Sequence, residues 1–339
     1  MQPGLHGSGI YAASRAGLRL WDCSRKPRQR RLAGMKRLST SLAIAAAILL
    51  TYFTASCSAQ AWARAALDKS PRHGEFVTIT EASGRKLQAW VVYPEVKDKA
   101  PVVVMIHEIF GLSDWAREMA DEVAAEGYIV VEPDLLSGFG APPGAAAAAA
   151  PDAAMDHMNM QASPGASGSP FVPASPGGTA AFPDQSAVTK AVSALDPAAV
   201  TADLDAAADY GKKLPAASGK LFVAGFCWGG GKSFLFATHR KDLSAAFVFY
   251  GPPPPTDTLK SITAPVYGFY AENDARITST VFSTGVEMKS AGKFYDPVIY
   301  DGAGHGFMRA GEAPDANAAN SAARAQGFQR LVRVLGSLR

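Results

Sequence analysis

Gly225-Phe226-Cys227-Trp228-Gly229-Gly230-Gly231 is the stretch from which the fold is read. It follows Lys220-Leu221-Phe222-Val223-Ala224, a short apolar run of strand character, and precedes Lys232-Ser233-Phe234-Leu235-Phe236-Ala237, whose apolar spacing predicts a helix. A strand that turns through glycine, nucleophile and glycine into a helix is a nucleophile elbow, here with Cys227 where serine is usual. The glycines have a steric reason. In so tight a turn a Cβ on either side would strike backbone, while the central side chain is thrust out above the sheet. Cysteine alone would be a small buried hydrophobe. It gains chemical meaning from an acid and a histidine further along the chain.

Working outward, Phe76-Val77-Thr78-Ile79-Thr80 and Leu87 to Tyr93 alternate like an antiparallel pair joined through Ser83-Gly84-Arg85-Lys86. Pro101 to Ile106 is continuously apolar, as a strand covered on both faces must be. Asp114 to Glu126 has helical spacing with Gly127 to stop it, and Tyr128 to Val131 is the next strand, ended by Glu132-Pro133-Asp134. Helices are predicted over Gln185 to Ala194 and Pro197 to Leu214. Beyond the elbow come strands at Ala245 to Tyr250, Val266 to Tyr270 and Phe294 to Tyr300, a helix at Thr278 to Ser290, and an amphipathic helix at Ala318 to Leu335. Such alternation predicts an α/β fold with a mostly parallel central sheet and helices on both faces. Ligands on such sheets bind beyond the carboxyl ends of the strands.

The 339 residues are 48% hydrophobic and 19% charged, with a formal net charge of +3. Much of the positive charge lies before Arg37, so nothing in this balance points to a nucleic-acid partner. Met35-Lys36-Arg37 opens a charged region, and Leu38 to Phe53 is apolar over signal-peptide length. Residues 35–61 therefore read as a signal peptide ending in Ala59-Gln60-Ala61, and residues 1–34 as a leader or a start placed too early. Ala55-Ser56-Cys57 offers lipid attachment at Cys57 as the alternative, with Thr54 where an aliphatic residue is normal. The expectation is an exported protein, periplasmic or extracellular, with no membrane span in its mature form. Of the three cysteines, Cys23, Cys57 and Cys227, the last stands alone in the predicted domain at 70–339. Residues 139–183, rich in alanine, proline, glycine and serine, read as a low-complexity surface insertion. Met155, His157, Met158 and Met160 suggest a soft-metal cluster, but insert composition explains them as well. No cofactor and no metal are expected.

Asp274 and His305 follow the strands that end near Tyr270 and Tyr300, in the order nucleophile, acid, histidine. Histidine suits the base because its pKa lies near neutrality, and a carboxylate fixes its tautomer. Glu272 and Asp301 are rival acids. Asp274 is preferred, because Glu272 lies closer to its strand and Asp301 shares a loop with His305. The Trp228 amide would supply one oxyanion donor and the loop His107-Glu108-Ile109-Phe110-Gly111 the second. Glu108, directly after a buried strand in an apolar loop, must be paired or protonated.

His107-Glu108-Ile109-Phe110-Gly111, Gly225-Phe226-Cys227-Trp228-Gly229-Gly230, Asp274 and Gly304-His305-Gly306-Phe307 together resemble the dienelactone hydrolase family, from about Phe76 to the C-terminus and excluding the insertion. The resemblance implies an α/β-hydrolase fold and hydrolysis of a small ester or lactone through a Cys227–His305–Asp274 triad. It also implies that Glu108 lies beside the thiol and tunes its ionisation, that Ile109 and Trp228 give the oxyanion amides, and that Arg309 holds a substrate carboxylate. The family's other carboxylate-binding arginine has no counterpart, since no arginine occurs from Glu118 through His239. Dienelactone is for that reason not required as the substrate. Fold and triad leave the acyl group open, so a thioesterase or peptidase-like activity shares the same residues. A non-catalytic envelope protein retaining the fold is the third reading, opposed by the intact Cys-His-Asp set.

Overall fold

β-Branched and aromatic residues build most of an eight-stranded sheet of order β1-β2-β4-β3-β5-β6-β7-β8. The computed structural model describes residues 60–140 and 177–339. The strands are β1 (Gly74–Thr80), β2 (Lys86–Val92), β3 (Ala100–Ile106), β4 (Ile129–Pro133), β5 (Ala217–Phe226), β6 (Ala245–Phe249), β7 (Val266–Ala271) and β8 (Tyr295–Tyr300). β1 and β2 pair antiparallel and attach antiparallel to β4, while β4 through β8 run parallel with β3 between β4 and β5. The helices are α1 (Ala61–Leu67), α2 (Asp114–Ala125), α3 (Gln185–Ser193), α4 (Pro197–Lys213), α5 (Trp228–His239), α6 (Ala275–Thr278), α7 (Val281–Ser290), α8 (Phe307–Ala310) and α9 (Ala318–Ser337). This is the α/β-hydrolase architecture expected from the sequence.

Alternation along the strands divides the core into two layers. Val102, Val104, Val131 and Val223 meet Leu204 and Ala208 of α4 and Phe234 of α5 on one face. Val103, Met105, Phe222 and Phe247 meet Met119 of α2 and Leu331 of α9 on the other. β3 is buried along its whole length, as its unbroken apolar run requires. Helix starts follow side-chain chemistry: Ser113, Asp184, Asp196 and Asn317 each accept a backbone N–H from the first turn of α2, α3, α4 and α9.

Four boundaries differ from expectation. Residues 60–69 already belong to the fold, ahead of the start expected near residue 70, because α1 buries Ala63 completely and the Gln60 side chain accepts the Trp115 amide at 2.9 Å. The predicted Ala59-Gln60-Ala61 site thus ends on the first residue of a packed helix. At the other side of the insertion, Gly177 already bridges to Ser137, and Thr179 bonds both Asp134 and the Leu112 amide, so residues 177–183 belong to the fold. β4 runs on to Pro133 and buries Glu132. The helix expected over Thr278 to Ser290 starts only at Val281 as α7, with the short α6 ending at Thr278 before it. Thr278 donates to the Ala271 carbonyl and Thr280 to that of Ile277, so their hydroxyls compete with the backbone for its acceptors. Cys23, Cys57, Met155, His157, Met158, Met160 and most of the predicted signal peptide lie outside the described residues. Among the described residues no helix is long and apolar enough to cross a membrane.

Candidate active site

Cys227 sits between β5 and α5 with φ 56° and ψ −116°, a left-handed conformation that a side chain adopts only when its surroundings impose it. Those surroundings are backbone. A Cβ on Gly225 would stand 2.0 Å from the Gly229 oxygen, and one on Gly229 would stand 2.4 Å from the oxygens of both Ile106 and His107. The Cys227 amide donates to Phe249 O at 3.0 Å, which ties the turn to the end of β6. The thiol is half-buried, the one free cysteine among the described residues.

His305 and Asp274 come from the two neighbouring strand ends. His305 Nδ1 donates to Asp274 Oδ2 at 2.5 Å, and Nε2 lies 3.0 Å from Cys227 Sγ. Asp274 is buried, whereas a third of the His305 side chain remains accessible. The two loops are stitched together by Asn273 N donating to Ala303 O at 2.9 Å. Glu272, a rival acid in the sequence, instead accepts the Gly302 amide at 2.7 Å. Asp301, the other rival, is exposed. Burial by itself would depress the His305 pKa, but the bonds to Cys227 and Asp274 outweigh it and push it up to about 9. The arrangement favours an imidazolium beside the thiol at neutral pH.

Glu108 is only 2% exposed. Arg309 Nε donates to its Oε2 at 2.7 Å, and the Tyr250 hydroxyl lies 3.3 Å from its Oε1. Burial raises the Glu108 pKa, and Arg309 acts against that rise. No hydrogen bond joins Glu108 to Cys227 among the described residues. The link runs through Tyr250, whose buried ring meets His305 edge-on at 5.2 Å. Arg309 also lies 4.7 Å over the Phe110 ring, so its guanidinium is committed to Glu108 and Phe110. Beyond Cys227 opens a cleft of about 360 Å³ with Ile109 and Trp228 in its wall. Neither residue's amide donates a hydrogen bond to another described residue, which leaves two N–H groups available at the thiol.

The sequence pattern of the dienelactone hydrolase family matches residues 87–338. The chain belongs to that family. It is 26% identical over 243 residues to a candidate carboxymethylenebutenolidase of Salmonella typhi, covering 68% of this chain and 77% of that protein. Against the carboxymethylenebutenolidase of Pseudomonas putida the identity is 28% over 177 residues, with 52% and 61% covered. Among solved structures, a candidate dienelactone hydrolase from Klebsiella pneumoniae superposes with a TM-score of 0.59 at 24% identity, covering 77% of this chain and 97% of that one.

Several groups of this dienelactone hydrolase-like site were not singled out from the sequence. Tyr250 ends the strand beside the elbow with φ 40°, and its position at a strand's carboxyl end was the available signal. His107 is fully buried; its Nδ1 donates to Glu108 O at 2.7 Å and its ring stacks on Trp228 at 5.8 Å. Burial lowers its pKa, which keeps the ring neutral. Lys232 and Arg276 line the cleft. One carboxylate trio in the described residues, Glu118, Glu122 and Glu312, has metal-ligand spacing. Arg324 already pairs there with Glu122 and Glu312, and burial pushes the Glu118 pKa up to about 10.

Proposed function

We propose that this family member is an exported hydrolase that cleaves a small ester or lactone through an acyl group carried on Cys227. The observation behind the reading is the line Asp274–His305–Cys227, with contacts of 2.5 and 3.0 Å, ending in a cleft lined by Ile109 and Trp228, whose amides are unengaged. With its proton held on His305, the Cys227 thiolate attacks the carbonyl carbon, and the carbonyl electron pair moves to an oxyanion facing the Ile109 and Trp228 amides. Collapse breaks the carbon–oxygen bond. The alkoxide leaves with the proton of His305, and a thioester remains on Cys227. The histidine's role reverses at this point, because acylation turns the thiolate that helped hold its pKa up into a neutral thioester. Burial then favours the neutral ring, which takes a proton from water as the water attacks the thioester. Collapse of this second intermediate expels the Cys227 thiolate, releases the acid and restores the ion pair. Asp274 holds the tautomer throughout. Glu108 opposes thiolate formation, and Arg309 moderates that opposition.

Export rests on the charged and apolar run before residue 60. A cut before Gln60 keeps the bond from its side chain to the Trp115 amide. Intact mass of the envelope-derived protein tests this, and residues 35–56 still attached would refute it.

The chemical reading is tested with p-nitrophenyl butyrate and iodoacetamide. Cys227→Ala and His305→Gln should each lower ester turnover by ~10³-fold or more. His305→Gln should also slow thiol alkylation at pH 7 by about tenfold, and Glu108→Gln should speed it. Turnover that survives Cys227→Ala would refute the acyl-enzyme.

A further inference from the structure

We propose that Lys232 and Arg276 form an anion-binding end of the cleft, so that the ester delivered to Cys227 carries a carboxylate on its acyl chain. The inference rests on the acyl-enzyme reading above and deepens it. Trp228, Gly231, Lys232 and Leu235 all line the cleft, and their spacing of i, i+3, i+4 and i+7 is one stripe of α5. Pro252 to Pro255 forms the apolar wall of the same cleft, and Arg276 joins it from α6, two residues after Asp274. No aspartate or glutamate lines it.

These two cations line the cleft without a counter-ion. Arg85, Arg240, Arg309, Arg324 and Arg330 each contact a carboxylate within 4 Å. Neither Lys232 nor Arg276 has an ion pair or hydrogen bond among the described residues. Lys232 Nζ sits 5.0 Å from the centroid of the Trp228 ring, its neighbour on the same stripe. The side chain is half-buried, and burial lowers its pKa, Asp196 acting against the shift. A partly desolvated cation without a counter-ion in an apolar cleft favours an anion that can enter.

Helix geometry gives a length scale. Lys232 lies four residues beyond Trp228, ~6 Å along the α5 axis. With the scissile carbonyl held at the Trp228 amide, an acyl chain running along the stripe meets the cations after about three or four carbons. That fits a glutarate-like half-ester, with its methylenes on Leu235 and the proline wall.

The experiment compares mono-p-nitrophenyl glutarate with p-nitrophenyl butyrate on the wild-type chain, Lys232→Met, Arg276→Gln and the double variant. In the double variant the preference for the glutarate ester, as the ratio of kcat/KM values, should fall ~10-fold, with the loss in KM. Raising salt from 50 to 500 mM should raise the wild-type KM for the glutarate ester far more than for the butyrate ester. Lys232→Arg should retain most of the preference. A ratio unchanged in the double variant would overturn the proposal while leaving ester hydrolysis standing.

If the wild type cleaves neither ester, the hydrolytic reading fails, and the subsite is judged by alkylation of Cys227 instead. Anionic iodoacetate should then lose its advantage over neutral iodoacetamide by about fivefold in the double variant. An unchanged ratio refutes the cation pair.

Discussion

Two carboxyl groups, Glu108 and Glu132, are buried at the carboxyl end of the same sheet, at 2% and 0% exposure, and they live in opposite circumstances. Burial raises the pKa of both. Glu108 has Arg309 at 2.7 Å and the Tyr250 hydroxyl at 3.3 Å, whereas neither oxygen of Glu132 has a hydrogen-bond partner. Burial pushes the Glu132 pKa up to about 8, against the attraction of Arg117 and with help from Asp134. Burial sets the direction of the shift, then, and the partner decides whether a charge can remain. A charge held next to His305 can act on the thiol. A neutral acid under α2 contributes a pH dependence of stability.

The largest expected effect comes from making the first carboxyl resemble the second. Arg309→Met strips Glu108 of its ion partner and should cost about 3–5 kcal/mol in urea unfolding at pH 7. Adding Glu108→Gln to that variant should restore more than half, since the uncompensated charge is then gone. A single-variant cost below ~1 kcal/mol would show that Glu108 does not depend on Arg309, and the contrast would collapse.

Next in size is Glu132→Gln, an isostere of the protonated acid. The sign comes from linkage. Glu132 is held near 8 in the folded chain and titrates near 4.5 when unfolded, so between those values the unfolded state binds fewer protons. Its contribution therefore falls as pH rises from 4.5 to 8 and is level outside that window. Glu132→Gln should match wild type near pH 4.5 and exceed it by a few kcal/mol at pH 8. Parallel stability curves for the two proteins would show that Glu132 is not held neutral by the fold.

These residues also mark what a sequence can reveal. Cys227, Asp274 and His305 were legible because each lies in the turn that follows its strand, and strand ends are visible as breaks in apolar runs. Glu108 stood out for the same reason. Glu132 did not, because Glu-Pro-Asp after Val131 looks like a solvated strand end, and only the pairing of Trp90 opposite Glu132 puts it inside the sheet. Lys232 and Arg276 belong to helices whose rotation about their axes no local pattern specifies. The cleft they share exists only once β5, β6 and β7 stand side by side. α1 was hidden for a third reason, since Ala61-Trp62-Ala63-Arg64-Ala65-Ala66 reads equally well as the small-residue tail of a signal peptide.

The smallest effect expected is at Tyr250, and it sharpens the contrast most finely. Its hydroxyl is the second partner that Glu132 lacks, but at 3.3 Å it is the longer of the two Glu108 contacts. Tyr250→Phe keeps the buried ring, and with it the edge-on contacts to His305 at 5.2 Å and Phe307 at 5.1 Å, while deleting only the donor. A hydrogen bond to a charged acceptor contributes ~1.5 kcal/mol or more at good geometry, so this long one should give about 1 kcal/mol or less. Glu108 keeps Arg309 as its ion partner. Turnover of p-nitrophenyl butyrate should drop only a fewfold, and alkylation of Cys227 should keep its dependence on pH. A loss of ~10²-fold in kcat with unchanged unfolding would contradict this ranking. The hydroxyl would then act on the reacting atoms themselves, and Arg309 alone would account for the difference between the two buried carboxyls.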